Sequence, residues 1–396
     1  MTLAFQNRRE FVSLLEPALA IDVDVDKSRR LTNLIVQQCA RDLRARVDEL
    51  FVPGKGGTTS MTRLHASSLL FLLALAGSQP EAQSSRVTLR IASLAPARSV
   101  WDNGLRQMRA DWQTGTAGRV QGLIYPSGQQ GDERTVLLKL RSGTLDGAAL
   151  ALPGLCYIDD AFNVFSIPFF FESYDELDYV LDQITPLLRE RLETRGFVLL
   201  GWAHAGWIRV FSVKPVRTLD DLKALRMFTS SGSDHMVQVH QRHGFKPIAL
   251  AETQILTGLM SGMIEAVPTT PTAMLFFQWY RRAPHMLDVP VAPLVGATVI
   301  TRKAWQRIGE ADRAVVTDAA RRLEDRFKRE IPKQDEESVR VMRARGLEVA
   351  PGAGSDWRRE AERYADDLKA MVPDDVFAIA LRERNAFRAQ RTTPVP

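Results

Sequence analysis

The sequence predicts an α/β protein of two lobes, with C-terminal helices packed across both. Three observations carry this. From residue 87 onward, short runs of strand type alternate with stretches of helical period. Beyond residue 302 the pattern becomes almost wholly helical and amphipathic. The chain has 396 residues, of which 45% are hydrophobic and 25% charged, which suits a globular protein of two or three domains rather than a disordered or fibrous one.

Taken in order, Val87–Ser93 alternates apolar and polar residues as a half-buried strand does, and residues 100–112 follow with helical spacing. Val120–Tyr125 reads as a second strand, ended by Pro126 and Gly128. Residues 132–141 form a helix with Val136, Leu137 and Leu140 on one face. Residues 197–200 and 209–213 read as further strands, and the βαβα order predicts mainly parallel sheets. Residues 302–345 and 357–388 supply the C-terminal helices.

Composition excludes several functions. Lys and Arg (52) are scattered among Asp and Glu (47), so the net charge of +5 forms no stripe for nucleic acid. No apolar run reaches the ~18–20 residues that span a bilayer. Two cysteines, Cys39 and Cys156, cannot build a disulfide framework or a cysteine-rich zinc site. His240 and His243 stand at a spacing that can bind metal on a helix, but no third ligand is evident and a solvated helix face accounts for them. Dinucleotide, phosphate-loop and nucleophile-turn motifs are missing from the sequence, so no cofactor is implied.

Residues 61–76 have the order of a secretory leader. Arg63 and His65 give a short positive region, residues 66–76 are uncharged and mostly apolar, and Ala74 and Ala76 are small residues at the spacing signal peptidase reads. This predicts translation from Met61, with cleavage after Ala76 or Ala82, and a soluble exported protein. Lys55-Gly56-Gly57 can be encoded by the purine run that bacterial ribosomes bind, upstream of the Met61 codon. Residues 1–60 are then an upstream extension, fused or read into this chain.

Aromatic residues are dense where catalytic groups are sparse. Runs such as residues 165–171 and 276–280 suit core. Trp207 beside Gly206, and Phe228 leading into Thr229-Ser230-Ser231, suit the wall of a cleft.

The order of segments resembles the DctP family, the extracytoplasmic solute-binding proteins of TRAP transporters. The turn from Tyr125 to Arg134 (YPSGQQGDER) resembles the family's P-x-x-Q-x-G-x-x-R, and Leu140 to Gly147 its lrsGtiDg. Ile167 to Phe171, Thr218 to Arg226, Leu259 to Glu265 and Val299 to Trp305 are similar to its later pieces, in the same order. Residues 1–60 resemble the C-terminal end of a TRAP-associated T-component, through Asn7 to Phe11, Asp22 to Asp26, Leu31 to Asn33 and Asp48 to Phe51.

The resemblance implies a two-lobed periplasmic binding protein with a ligand cleft. Lobe I would comprise residues 86–207 and 299–390 with the C-terminal helices, and lobe II residues 208–298. It implies closure on a small organic ligand and delivery to membrane permease subunits, without catalysis. Glu133, Arg134, Thr269 and Thr270 would face the cleft, although ordinary loop and helix-start surface also suits them. In one respect the chain departs from the family. The position of the usual carboxylate-binding arginine is Phe228, with Arg226 before it, and that of a second arginine is Ile208, with Arg209 directed to the other strand face. Either another base, such as Arg134, anchors an acid, or the ligand is apolar or amphipathic rather than a simple dicarboxylate. An exported enzyme on the same frame and a ligand-sensing module are the alternatives.

Overall fold

The computed structural model describes residues 86–231, 234–352 and 355–392, with residues 16, 19, 20, 41 and 44 of the N-terminal stretch. The chain divides into two units, residues 1–79 and 80–396. The expected leader (61–76), and all but those five residues of the extension (1–60), lie outside the described residues.

β1 (Val87–Ser93) buries Leu89 and Ile91 on its inward face. α1 (Val100–Gly115) starts at Ser99, whose side chain accepts the Asp102 N–H, and runs past the expected end at 112. β2 (Val120–Tyr125) and α2 (Glu133–Arg141) follow, the latter capped by Asp132 accepting from the Thr135 N–H. Next come β3 (Gly147–Ala151), α3 (Leu152–Cys156), a 3-10 turn (Asp160–Ser166), α4 (Tyr174–Thr194) and the long β4 (Phe197–Trp207).

The chain then enters a second lobe: β5 (Arg209–Ser212), α5 (Leu219–Ala224), β6 (Arg226–Ser230), α6 (Asp234–Arg242), β7 (Lys246–Leu250), α7 (Ile255–Met260), β8 (Ala266–Thr269), α8 (Pro271–Phe276) and β9 (His285–Asp288). It returns through β10 (Pro293–Thr301), α9 (Arg302–Gln306), the 34-residue α10 (Glu310–Arg343), β11 (Glu348–Pro351), α11 (Ser355–Lys369) and α12 (Asp374–Thr392).

Two sheets result, ordered β2-β1-β3-β10-β4 and β11-β9-β5-β8-β6-β7. They are mixed, not mainly parallel as the sequence pattern suggests. β10 runs antiparallel to both β3 and β4, and β5 to both β8 and β9. The reason is the crossing. β4 passes into β5 through Ile208 alone, and the chain comes back from β9 to β10, so outgoing and returning strands oppose each other. The lobe boundaries shift accordingly. The expected limit between 298 and 299 falls inside β10, a strand of the first sheet, while β11 pairs with β9 in the second sheet although residues 299–390 were assigned to lobe I.

Helices cover both faces of the first sheet. Phe162, Phe165, Leu181, Ile184 and Val376 pack in one cluster, and Leu105, Trp112, Leu323 and Phe327 in another. Phe165, Phe170 and Phe171 are core, as aromatic runs usually are. α10 lies against β4 and α1 in lobe I and against α8 in lobe II. α12 packs on α4, while α11 touches both the 3-10 turn and α6. The C-terminal helices thus tie the lobes together.

Where the chain crosses, backbone bonds make a two-stranded hinge. Ile208 N–H donates to Ala292 O at 2.8 Å, and Val291 N–H to Ile208 O at 2.9 Å.

Candidate functional site: a cleft between the lobes

A cavity of about 1000 Å³ opens beside this hinge and is lined from both lobes. Lobe I presents Glu133, Tyr157 and Phe169, lobe II presents Phe228, Ser230 and Glu252, and α11 adds Trp357 and Tyr364. Phe169 is held there at φ 55°, a left-handed conformation unusual for an aromatic residue, while its N–H donates to Val291 O at 2.8 Å. The hinge strand therefore positions a cleft aromatic directly.

Of the six residues assigned to the ligand site from the sequence, four line the cleft: Phe228, Glu133, Thr269 and Thr270. Thr270 also caps α8, accepting the Ala273 N–H at 3.3 Å ahead of Pro271. Two do not line it. Arg134 is exposed on α2 and is no anchor for an acid in the cleft, because its neighbour Glu133 takes the inward helix position. Trp207 is buried in the lobe I core, edge-on to Tyr174 at 5.3 Å.

The reversal at Trp207 has a local cause. Ala203 and Ala205 line the cleft, as alternation requires, but β4 carries one extra residue there: Val295 pairs with His204 and Pro293 with Trp207. Gly206, at φ 112°, absorbs the bulge. Alternation resumes with opposite parity, so Ile208 and Val210 line the cleft while Trp207 turns away. Arg209 pairs with Asp288 at 2.8 Å. Arg226 is also held outside, donating to Gly262 O at 2.7 Å and lying 3.3 Å from Glu265.

Among the described residues that line the cleft there is no Lys or Arg, whereas Glu133 and Glu252 both face it. Burial pushes Glu133 up to about 8, against the hydrogen bond from the Ala151 N–H at 2.9 Å and with help from the charge of Glu252. Its other oxygen, Oε2, is buried without a hydrogen-bond partner among the described residues. Burial also raises Glu252, although the Ser230 hydroxyl donates to its Oε1. Tyr157 Oη lies 3.5 Å from Ser230 Oγ, joining lobe I to lobe II across the cavity.

α11 closes one side. His243 is held between Glu360 Oε1 at 3.1 Å and Asp367 Oδ2 at 3.0 Å, while Lys223 reaches Glu360 at 3.0 Å. His240 instead contacts Thr229 Oγ1 at 3.3 Å, so the two imidazoles serve different partners. Sequence reasoning passed over Tyr157, Glu252 and Trp357. Only Ser230 lay in a run already marked, the polar stretch after Phe228.

Two hinged α/β lobes with a cavity between them define a two-lobed solute-binding protein. Residues 91–370 match the model of bacterial extracellular solute-binding protein, family 7 (DctP), and the chain belongs to that family. Residues 1–51 match the model of the TRAP transporter T-component. A solute-binding protein of Chromohalobacter salexigens is 25% identical over 207 residues, 52% of this chain and 61% of that protein. The sialic acid-binding periplasmic protein SiaP of Vibrio cholerae is 21% identical over 274 residues, 67% of this chain and 83% of its own length. The chain spans 61% and 49% of the first two curated relatives. Among solved structures, a TRAP periplasmic solute-binding protein of Xanthobacter autotrophicus with bound β-D-galacturonate has a TM-score of 0.71 at 19% identity, covering 75% of this chain and 99% of that one. One from Desulfovibrio salexigens with bound orotic acid has a TM-score of 0.72 at 17% identity, covering 76% and 99%. The ligands of these neighbours are polar organic acids, which runs against the expectation of an apolar or amphipathic ligand in its apolar form.

Proposed function

We propose that this protein is the solute-capturing component of a TRAP-type secondary transporter. It takes a small organic ligand into the interlobe cleft, closes on it, and hands it to membrane permease subunits from the periplasm. The observation that carries this is the cavity of about 1000 Å³ lined from both lobes beside a two-stranded hinge, since a ligand touching both walls favours the closed form. Family membership supports the assignment and supports a role without catalysis. Among the described residues no helix is long and apolar enough to cross a membrane, which fits delivery by a protein outside the bilayer. The match of residues 1–51 supports a TRAP setting.

The ligand on this reading is amphipathic. Phe228, Ile208 and Phe169 offer apolar surface, while Thr269, Thr270 and the Glu133–Glu252 side offer hydrogen bonds. A second reading, a sugar acid or similar organic acid, rests on the ligands bound by the structural neighbours. Mass spectrometry of the small molecule released from protein purified from its own periplasm tests both. An amphipathic molecule recovered unchanged is expected. Recovery of a chemically altered product would point to an enzyme, and a sugar acid would favour the second reading.

A further inference from the structure

We propose that the cleft seats a cationic nitrogen group of its ligand, an ammonium or amidinium, between Glu133 of lobe I and Glu252 of lobe II. The inference rests on reading the cleft as the solute site. Glu133 is 1% exposed, and its Oε1 is occupied by the Ala151 N–H while Oε2 has no hydrogen-bond partner among the described residues. A buried carboxyl oxygen without a partner is costly, more so when charged, so something is expected to satisfy it. Gly154 leaves the room into which Oε2 reaches, since a Cβ there would stand 2.0 Å from that oxygen. Across the cleft, Glu252 accepts through Oε1 from Ser230 and also interacts with its own backbone N–H, and Tyr157 of lobe I stands next to the same hydroxyl.

The sign of the charge decides the class of ligand. With no Lys or Arg among the described lining residues, a ligand carboxylate would find no basic partner, whereas ionisation of Glu133 brings repulsion from Glu252 and Asp132. A cation relieves that repulsion and has one contact on each lobe, so its binding also favours closure. Because burial holds Glu133 up to about 8, a cation must displace its proton at neutral pH. Linkage then requires affinity to rise with pH, by up to about tenfold per unit below that value.

The test uses the full chain and nine probes: phenyl, cyclohexyl and hexyl skeletons, each bearing a methylammonium, an amidinium or a carboxylate. Calorimetry and melting curves are read at pH 6, 7 and 8. Cationic probes are expected to bind, more tightly at pH 8 than at pH 6, and at least tenfold more weakly to Glu133→Gln and Glu252→Gln variants that retain the unmodified protein's circular dichroism. Binding of carboxylates alone, or cation binding that neither substitution weakens, overturns the inference but leaves solute capture standing. If no probe binds, the molecule released from periplasm-purified protein decides. A basic nitrogen in it supports the proposal, its absence overturns it, and recovery of no molecule counts against solute capture as well.

Discussion

Asp335 accepts two hydrogen bonds from Thr272, its Oδ1 lying 3.1 Å from the backbone N and 2.6 Å from Oγ1. Its second oxygen accepts the Trp207 N–H at 3.0 Å. One buried carboxylate on α10 therefore holds the last residue of β4, in lobe I, and the first turn of α8, in lobe II. It sits against the bulge that reverses Trp207, and a Cβ at Gly206 would stand 2.5 Å from Asp335 Oδ2. Asp335→Ala leaves three buried donors unpaired, and a loss of about 3–5 kcal/mol in chemical denaturation is expected. Asp335→Asn keeps one acceptor and should recover part of it. Gly206→Ala combines strain at φ 112° with the clash and should also destabilise. A loss below about 1 kcal/mol for Asp335→Ala would remove it from this role.

That hinge marks the limit of what the sequence discloses. Val87–Ser93 is legible because burial on one face writes a period of two into the residues. The C-terminal helices are legible for the same kind of reason. Residues 302–345 are broken between Gln306 and Glu310 and end as helix at Arg343, and residues 357–388 are broken between Lys369 and Asp374, around Pro373. Strand direction leaves no such trace, so the antiparallel crossing strands read as parallel ones. Parity is equally silent, because one extra residue near Gly206 exchanges the faces of Trp207 and Ile208 without altering the composition of β4. Phe228 stood out as an aromatic at the edge of a polar run. Glu252 did not, since a single acid in a loop acquires meaning only from the opposite lobe.

Acid should loosen the side of the cleft sealed by α11. Burial opposes ionisation of Glu360, yet hydrogen bonds from Lys223 and His243 outweigh it and hold the carboxyl below its ordinary 4.5. A depressed carboxyl contributes stability above its unfolded value and loses it as pH falls through the folded value. Burial also lowers His240 to about 4, with the charge of His243 adding to the shift. An imidazole depressed in the fold contributes stability above 6.5 that is lost as pH falls from there toward about 4. Both terms act in the same direction. Amide protection factors in α11, taken against the intrinsic exchange rate at each pH, are expected to fall between pH 7 and pH 4 more than those in α1, and His240→Gln should flatten the part of this loss above pH 4.5. An equal fall in the two helices would refute the assignment to these groups.

Export is tested independently of the cleft. Cleavage after Ala76 gives a mature N-terminus at Gly77, and cleavage after Ala82 gives one at Gln83. Edman or mass-spectrometric sequencing of the exported protein is expected to find one of these. A secreted species that begins at Met1 would mean that residues 1–60 are part of the working protein.

Phe228 is expected to be the residue on which ligand choice turns. It lines the cleft where the family resemblance places the carboxylate-binding arginine, and Ile208 lines it where a second arginine would fall. Apolar surface buried against the Phe228 ring contributes roughly 25 cal/mol per Å², so Phe228→Ala should weaken the natural ligand by about tenfold. A carboxylate set against the same ring loses water and gains no donor, which is costly. Succinate, malate and D-glucuronate are therefore expected to bind the unmodified protein weakly or not at all. Phe228→Arg restores a planar guanidinium, and hydrogen bonds to a charged group contribute about 1.5–3 kcal/mol, enough to raise carboxylate affinity by an order of magnitude or more. Titration calorimetry of the three proteins with the same acids separates the outcomes. Tight succinate or malate binding by the unmodified chain, unchanged in Phe228→Ala, would mean that an anchor outside the described lining residues governs recognition and that Phe228 does not.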